Sequence, residues 1–290
     1  VPPVATAAAL AVIVIAAGGI AISVSSHTSG VSPRGGKSQR PQPPSLATRT
    51  AKLAASWVAG QVSQDAYVAC DKAMCDLLTA DQFPGGKLQL ISPDSSYPLH
   101  AQVVVVTPVV QRQFGSSLAT NWAPIVLTRV GSGPTAISIR IVSPHGAAAY
   151  RSALIRDVQQ RKAFAHFLLR SPQVTASAPV RKELAGGQVD ARLIVALTAL
   201  AAVHPIDILG FGTSFPGASA GVPLRAAQLA DMDAASGLNR SDYLRYLQTV
   251  LHKQSDPYQP AAAGLTHDSS GKLIFQIKFA APSQLLLLGR

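Results

Sequence analysis

The chain has 290 residues, 48% of them hydrophobic and 13% charged, with a formal net charge of +11. That is ample apolar material for a core and a length suited to one large or two ordinary domains. Aromatic residues make up 6% and are not interleaved with the basic ones, so composition argues against a nucleic-acid-binding module.

Val4 to Val24 is an apolar run without a charge, and the first charged residue is Arg34. As a helix rising about 1.5 Å per residue, it would reach across about 30 Å of hydrocarbon. Ala21-Ile22-Ser23 offers a cleavage pattern, but Val1-Pro2-Pro3 lacks the basic start of a secretory signal. The run is therefore read as an uncleaved transmembrane anchor spanning 1–24. Residues 25–46 form a linker rich in Ser, Gly, Pro and Arg, unable to bury apolar area. Arg34, Lys37, Arg40, Arg49 and Lys52 follow the run with no acid among them, and are candidates for contact with anionic lipid or wall polymer. Basic residues after a span favour a cytoplasmic side, but long domains translocate largely regardless of loop charge. An extracytoplasmic domain on a single-pass protein is the reading adopted.

The two cysteines, Cys70 and Cys75, are too few for a tetrahedral zinc site. They form either one disulfide in an oxidising compartment or two small buried thiols.

Periodicity then gives the elements. Ala47–Val62 reads as an amphipathic helix, with Leu53, Trp57 and Gln61 stepping by four beside Ala54, Val58 and Val62. Tyr67–Cys70 reads as a strand, and Asp71 caps a helix running through Leu78. Lys87–Ile91 is a strand, and Val103–Val106 is a β-branched run suited to a strand buried on both faces. Val109–Leu118 reads as a helix. Pro124–Val130 and Thr135–Val142 are strands, the second alternating as a half-exposed strand at a sheet edge or in an antiparallel pair. Gly146–Arg170 is a long helix whose Tyr150, Phe164 and Phe167 are read as core residues. Val174–Ala176 is a strand, followed by helices at Val180–Ala185 and Val189–Val203 and a strand at Ile206–Phe211. A Gly/Ser/Ala loop occupies Gly212–Gly221, and Val222–Leu229 is a short strand or turn. Ser241–Lys253 is a helix, and Gly264–Thr266 pairs with Leu273–Phe279 in a hairpin. The expected fold is α/β: an anchor followed by a mixed-sheet ectodomain in two subdomains, 47–145 and 146–290.

One resemblance adds to this. Trp57-Val58, Val68-Ala69-Cys70-Asp71, Met74-Cys75, Val103–Val106, Ala123-Pro124, Gly131-Ser132-Gly133 and Ile137–Val142 carry it. This pattern resembles uncharacterised membrane-anchored proteins of actinobacterial type. Residues 47–145 are also similar to extracytoplasmic domains appended to mannosyltransferase-like membrane proteins. Gln188-Val189-Asp190, His204-Pro205 and Pro223-Leu224-Arg225 look like part of the same pattern. The resemblance implies an envelope-associated protein. It does not carry over transferase activity, because this chain lacks the multiple spans of such enzymes.

Catalytic signatures are weak. Gly217-Ala218-Ser219-Ala220-Gly221 matches the nucleophile-elbow pattern, with Asp256 and His267 later in the chain. However, Pro223 follows where the motif needs a helix. Gly210-Phe211-Gly212 after a strand lacks the helix of a dinucleotide fingerprint. The stretch 189–225 is also similar to peptidoglycan-binding domains of outer-membrane-protein-A type, but Thr213-Ser214 stands where those carry an Asp and Arg225 fits their Arg loosely. Asp71, Asp207, Thr213, Ser219 and Arg225 are the candidate ligand-loop residues. No catalytic residue, metal site or cofactor is assigned. The function expected is binding or interaction at the cell envelope, with another envelope protein or wall polymer as partner. The alternative is an enzyme or accessory factor of envelope glycan or lipid metabolism.

Overall fold

The computed structural model describes residues 45–95, 100–212, 221–230, 239–268 and 270–289. The candidate anchor Val4–Val24 and the basic residues Arg34, Lys37 and Arg40 lie outside the described residues. Among the described residues, no helix is long and apolar enough to cross a membrane.

Helix α1 (Leu46–Gln61) begins where the Ser45 hydroxyl accepts the Thr48 amide, satisfying one of the amides that a helix start leaves unpaired. Its buried residues are Thr50, Ala54, Ala55, Trp57 and Val58. Leu53 is 63% exposed, contrary to the step-by-four reading. The buried arc centres between Ala54 and Val58, which leaves Leu53 on the outer face with Arg49 and Lys52. Strand β1 (Val68–Cys70) runs into Asp71, which caps helix α2 (Lys72–Ala80). Strands β2 (Leu88–Leu90) and β3 (Val103–Val106) flank β1 on either side, both parallel to it.

Val103 and Val105 pack with Trp57, Val58 and Met74, while Val104 and Val106 pack with Val110 and Leu118 in a second cluster. Both faces of this strand are covered, which is why it needs no polar alternation. The helix expected at 109–118 is broken. Gly115, at φ 58°, ends helix α3 (Pro108–Phe114), and a separate π turn spans Leu118–Trp122. Strands β4 (Ile125–Val130) and β5 (Ile137–Ile141) are antiparallel, giving the order β2-β1-β3-β5-β4. Strand β5 therefore lies inside the sheet, pairing with β3 and β4, and its Ser138 is buried with its isoleucines. The edge position allowed by its alternation goes to β4.

Helix α4 (Gly146–Arg170) runs over the predicted span. Its buried residues include the charged Asp157 and Arg161, while Phe164 and Phe167 are 40% and 63% exposed. Both phenylalanines were expected in the core. The inward stripe runs instead through Asp157, Arg161, Ala165 and Leu168: Ala165 and Leu168 join the second core, and Arg161 donates to the Gly187 carbonyl. Gly187 stands at φ +67°, and a Cβ there would lie 3.0 Å from the Val158 carbonyl oxygen, so the turn admits only glycine without strain.

The second sheet has the order β6-β7-β8-β10-β9. Strand β6 (Val174–Ala176) leads through α5 (Ala178–Ala185) and α6 (Ala191–Ala201) to β7 (Ile206–Gly212). Strand β8 (Ala226–Ala230), helix α7 (Arg240–His252) and the hairpin β9 (Ala262–His267)/β10 (Leu273–Lys278) complete it. Strands β6 and β7 are parallel, and every other pair is antiparallel. A core of Leu193, Leu197, Ile208, Leu229, Tyr243 and Phe275 lies between this sheet and its helices. The fold is thus mixed α/β, with two five-stranded mixed sheets.

The segment after β10 ties the sheets together. Ala281 bridges Val62 at the end of α1, through Ser63 N–H to the Ala281 carbonyl and Ala281 N–H to the Gln61 carbonyl. Residues 44–290 form one compact unit.

Candidate functional site

Cys70 and Cys75 form a disulfide across the turn from β1 into α2. Between them, Asp71 accepts the Met74 amide on one carboxylate oxygen and the Thr107 hydroxyl on the other. Thr107 in turn caps α3. Strand β1 has β2 on one side and β3 on the other, so these two residues sit at a switch in strand order, at the carboxyl ends of parallel strands. Open α/β sheets commonly bind ligands there. Here, however, both Asp71 oxygens are spent on capping and on holding Thr107.

A buried charged cluster lies at the start of α6. Asp190 accepts the Arg192 amide, Arg192 Nε and Nη2, and the Ser283 hydroxyl. Burial works to raise its pKa, but Arg192 and these donors prevail and hold the carboxyl below its ordinary value. Arg192 Nη2 also donates to the Ala280 carbonyl at 2.8 Å. The guanidinium lies over the Phe279 ring, 5.2 Å from the centroid. Arg225 is held beside this cluster because Leu224 pairs with Val189. It is 5% exposed, and its Nε and Nη1 have no partner among the described residues. Burial lowers its pKa to about 10, with Asp190 opposing and Arg192 reinforcing the shift. The same burial, with help from Arg225, lowers that of Lys278.

Further along, Asp157 accepts Arg161 Nε at 2.8 Å and the Leu286 amide at 2.8 Å. Its burial raises the carboxyl pKa despite the Arg161 charge. Burial also pushes the nearby Tyr150 phenol up to about 12.

The polar cluster opens onto a cavity of about 670 Å³, bounded by the end of α1, the loop before β9, strand β10 and the segment 280–284. Arg192, Lys278, Asp65, Asp256, Gln102 and Gln284 line it. The volume falls within the range of small-ligand sites. A second, apolar groove of about 370 Å³ lies between the ends of α4 and α6, lined by Phe167, Leu168 and Thr198. A third, of about 560 Å³, lies at the start of α4 beside Trp122, His145 and Arg151.

The expected ligand-loop residues do not converge. Asp71 joins Thr107 at the first sheet. Asp207 is half-buried on β7, on the face opposite Ile206 and Ile208. Arg225 belongs to the buried cluster beside Asp190, and Thr213 and Ser219 lie outside the described residues. Arg49 and Lys52 are exposed on α1. Among the described residues no group of three or more His, Cys, Asp or Glu could hold a metal. Sequence reasoning missed Asp190, Arg192, Lys278 and the Asp157–Arg161 pair. The signal for the first two was Asp190-Ala191-Arg192 at the head of the apolar helix α6, where charges are costly unless paired. No family model matches the chain, and no curated protein or solved structure does either.

Proposed function

We propose that the chain is a single-pass, envelope-associated binding protein. Residues 1–24 anchor it, residues 25–46 form a basic tether, and the α/β region lies outside the cytoplasm. The observation that carries this reading is the Cys70–Cys75 disulfide. Such bonds persist in oxidising compartments and are rare in reducing ones. The +11 charge, with Arg34, Lys37 and Arg40 in the tether and Arg49 and Lys52 on the helix that follows it, fits a stalk lying against anionic lipid or wall polymer. The resemblance to actinobacterial membrane-anchored proteins points the same way. The polar cavity at Arg192 and Lys278 gives a binding protein a place to hold a small ligand.

Two reporter fusions after Arg290 test this. An exported phosphatase, active only after translocation, should be active, and a fluorescent protein that matures only inside should be dark. The reverse pattern contradicts the proposal. An enzyme or accessory factor of envelope glycan or lipid metabolism remains the second reading, favoured by the position of Asp71 and Thr107 at the strand-order switch. It requires Asp71→Asn to abolish an activity while the fold survives.

A further inference from the structure

Charge is unevenly distributed along the wall of the 670 Å³ cavity. Its buried members are basic: Arg192 is 6% exposed, and Lys278 is half-buried on β10, the strand central to the hairpin and β8. Its exposed members are acidic or amide-bearing: Asp65, Asp256, Gln102 and Gln284.

The basic side is neutralised only in part: Asp190 pairs with Arg192, and no carboxylate pairs with Lys278 among the described residues. Among the described residues Asp190 is the carboxylate that acts on both Arg192 and Arg225. It is already saturated by Arg192 and Ser283. Among the described residues Lys278 donates to the Gly60 carbonyl, at 3.4 Å. Arg225, buried beside Arg192, keeps Nε and Nη1 without a partner among the described residues, though it does not itself line the cavity. An oxyanion in the cavity meets the two basic side chains that line it, Arg192 and Lys278, through charge-assisted hydrogen bonds. At the mouth, Asp65 and Asp256 are exposed carboxylates without a salt bridge among the described residues. They repel a purely anionic ligand and favour one that also carries a cation.

We propose that this cavity binds a small zwitterion, its anionic group at Arg192 and Lys278 and its ammonium at Asp65 and Asp256. A free amino acid or short peptide supplies that chemistry through its carboxylate, and a phosphoethanolamine headgroup through its phosphate. The inference rests on the reading of the chain as a binding protein, but not on which side of a membrane it lies. The site has bulk enough for several residues of peptide, and amides around the mouth can serve backbone carbonyls.

The test is ligand-observed saturation-transfer NMR on the purified full-length chain, with two probes. The first is tetra-alanine in free, N-acetylated and C-amidated forms, and the second is glycerophosphoethanolamine. At least one unblocked probe should bind saturably at about 1 mM or below. Its capped or single-charge counterpart should bind about tenfold more weakly, the loss of one charged hydrogen bond. Lys278→Gln should weaken binding about tenfold and Asp256→Asn measurably. Lys272→Gln, exposed in the hairpin turn away from the cavity, should change nothing. Which probe binds distinguishes carboxylate from phosphate recognition. Saturable binding of neither probe overturns the proposal. So does binding that ignores both terminal blocks, or that survives Lys278→Gln unchanged. A variant is scored only if its melting curve matches wild type. Because this assay is made in solution, its failure leaves the membrane-topology result standing, and the reverse also holds.

Discussion

Asp190 and Ser283, 93 positions apart, share a part-buried hydrogen bond that closes the segment after β10 onto the start of α6. The same carboxylate grips Arg192, and Arg192 in turn holds the Ala280 carbonyl. One residue further on, Ala281 bridges to Val62 of the first sheet's leading helix. Asp190 is thus the point through which the second sheet, the trailing segment and the wall of the cavity are joined.

Asp190→Asn should therefore cost about 3–5 kcal/mol, because it leaves a buried guanidinium unpaired. Ser283→Ala should cost about 1–2 kcal/mol. Urea denaturation at neutral pH reads both. A loss below about 1 kcal/mol for Asp190→Asn would show that the cluster is not holding the segment.

The two buried aspartates titrate with opposite sign. The Asp190 carboxyl is held below its ordinary 3.8, so the stability it contributes is complete above that value and drains away as pH falls through the folded value. The Asp157 carboxyl is raised above 3.8 by burial, with Arg161 opposing. Its contribution is complete below 3.8 and is lost as pH rises through the folded value. Asp190→Asn should remove part of the acid-induced loss of stability. Asp157→Asn should flatten the decline on the alkaline side of 3.8 and cost less at neutral pH than Asp190→Asn. Denaturation midpoints across pH 2–7 check both signs.

Reducing the disulfide, or replacing both Cys70 and Cys75 with Ala, should lower stability by about 2 kcal/mol, the chain-entropy value for so short a loop. The Cys70 side of this turn is buried against the first core. Melting with and without reductant measures the difference, and an unchanged melting temperature would contradict it.

On α1, Trp57→Ala should cost about 3–5 kcal/mol, since Trp57 is 5% exposed within the first core. Leu53→Lys should fall within about 0.5 kcal/mol of wild type. Equal effects would mean that the helix is rotated from the face described. Gly187→Ala should cost about 2 kcal/mol or more, from its positive φ and the approach of Val158.

Much of the fold was legible because it is written in local chemistry. Asp71 capping α2, the doubly buried Val103–Val106 and the span of α4 follow from capping preference, β-branching and helical period. What failed was the direction in which elements face. Leu53, Phe164 and Phe167 look like core residues by type, yet they are exposed, and the buried face of α4 carries the charged Asp157 and Arg161 beside Ala165 and Leu168. The position of β5 inside its sheet depended on pairing with β3, which lies more than thirty positions earlier. The candidate site was the least legible part. Arg192, Lys278, Asp65 and Asp256 come from a helix start, a strand end and two loops. No spacing joins them, and only the trailing segment folding back onto Val62 brings them together.

The measurement that bears most directly on the proposed role is the state of Cys70 and Cys75 in intact cells. Cells expressing the chain are treated with a membrane-impermeant thiol reagent, with and without prior exposure to a reductant, and the mass shift is read on a gel. Labelling only after reduction is the predicted result, and it places a disulfide-bonded domain outside the membrane. Labelling only after lysis, with no need of reductant, would mean free thiols on the inside and would contradict the account.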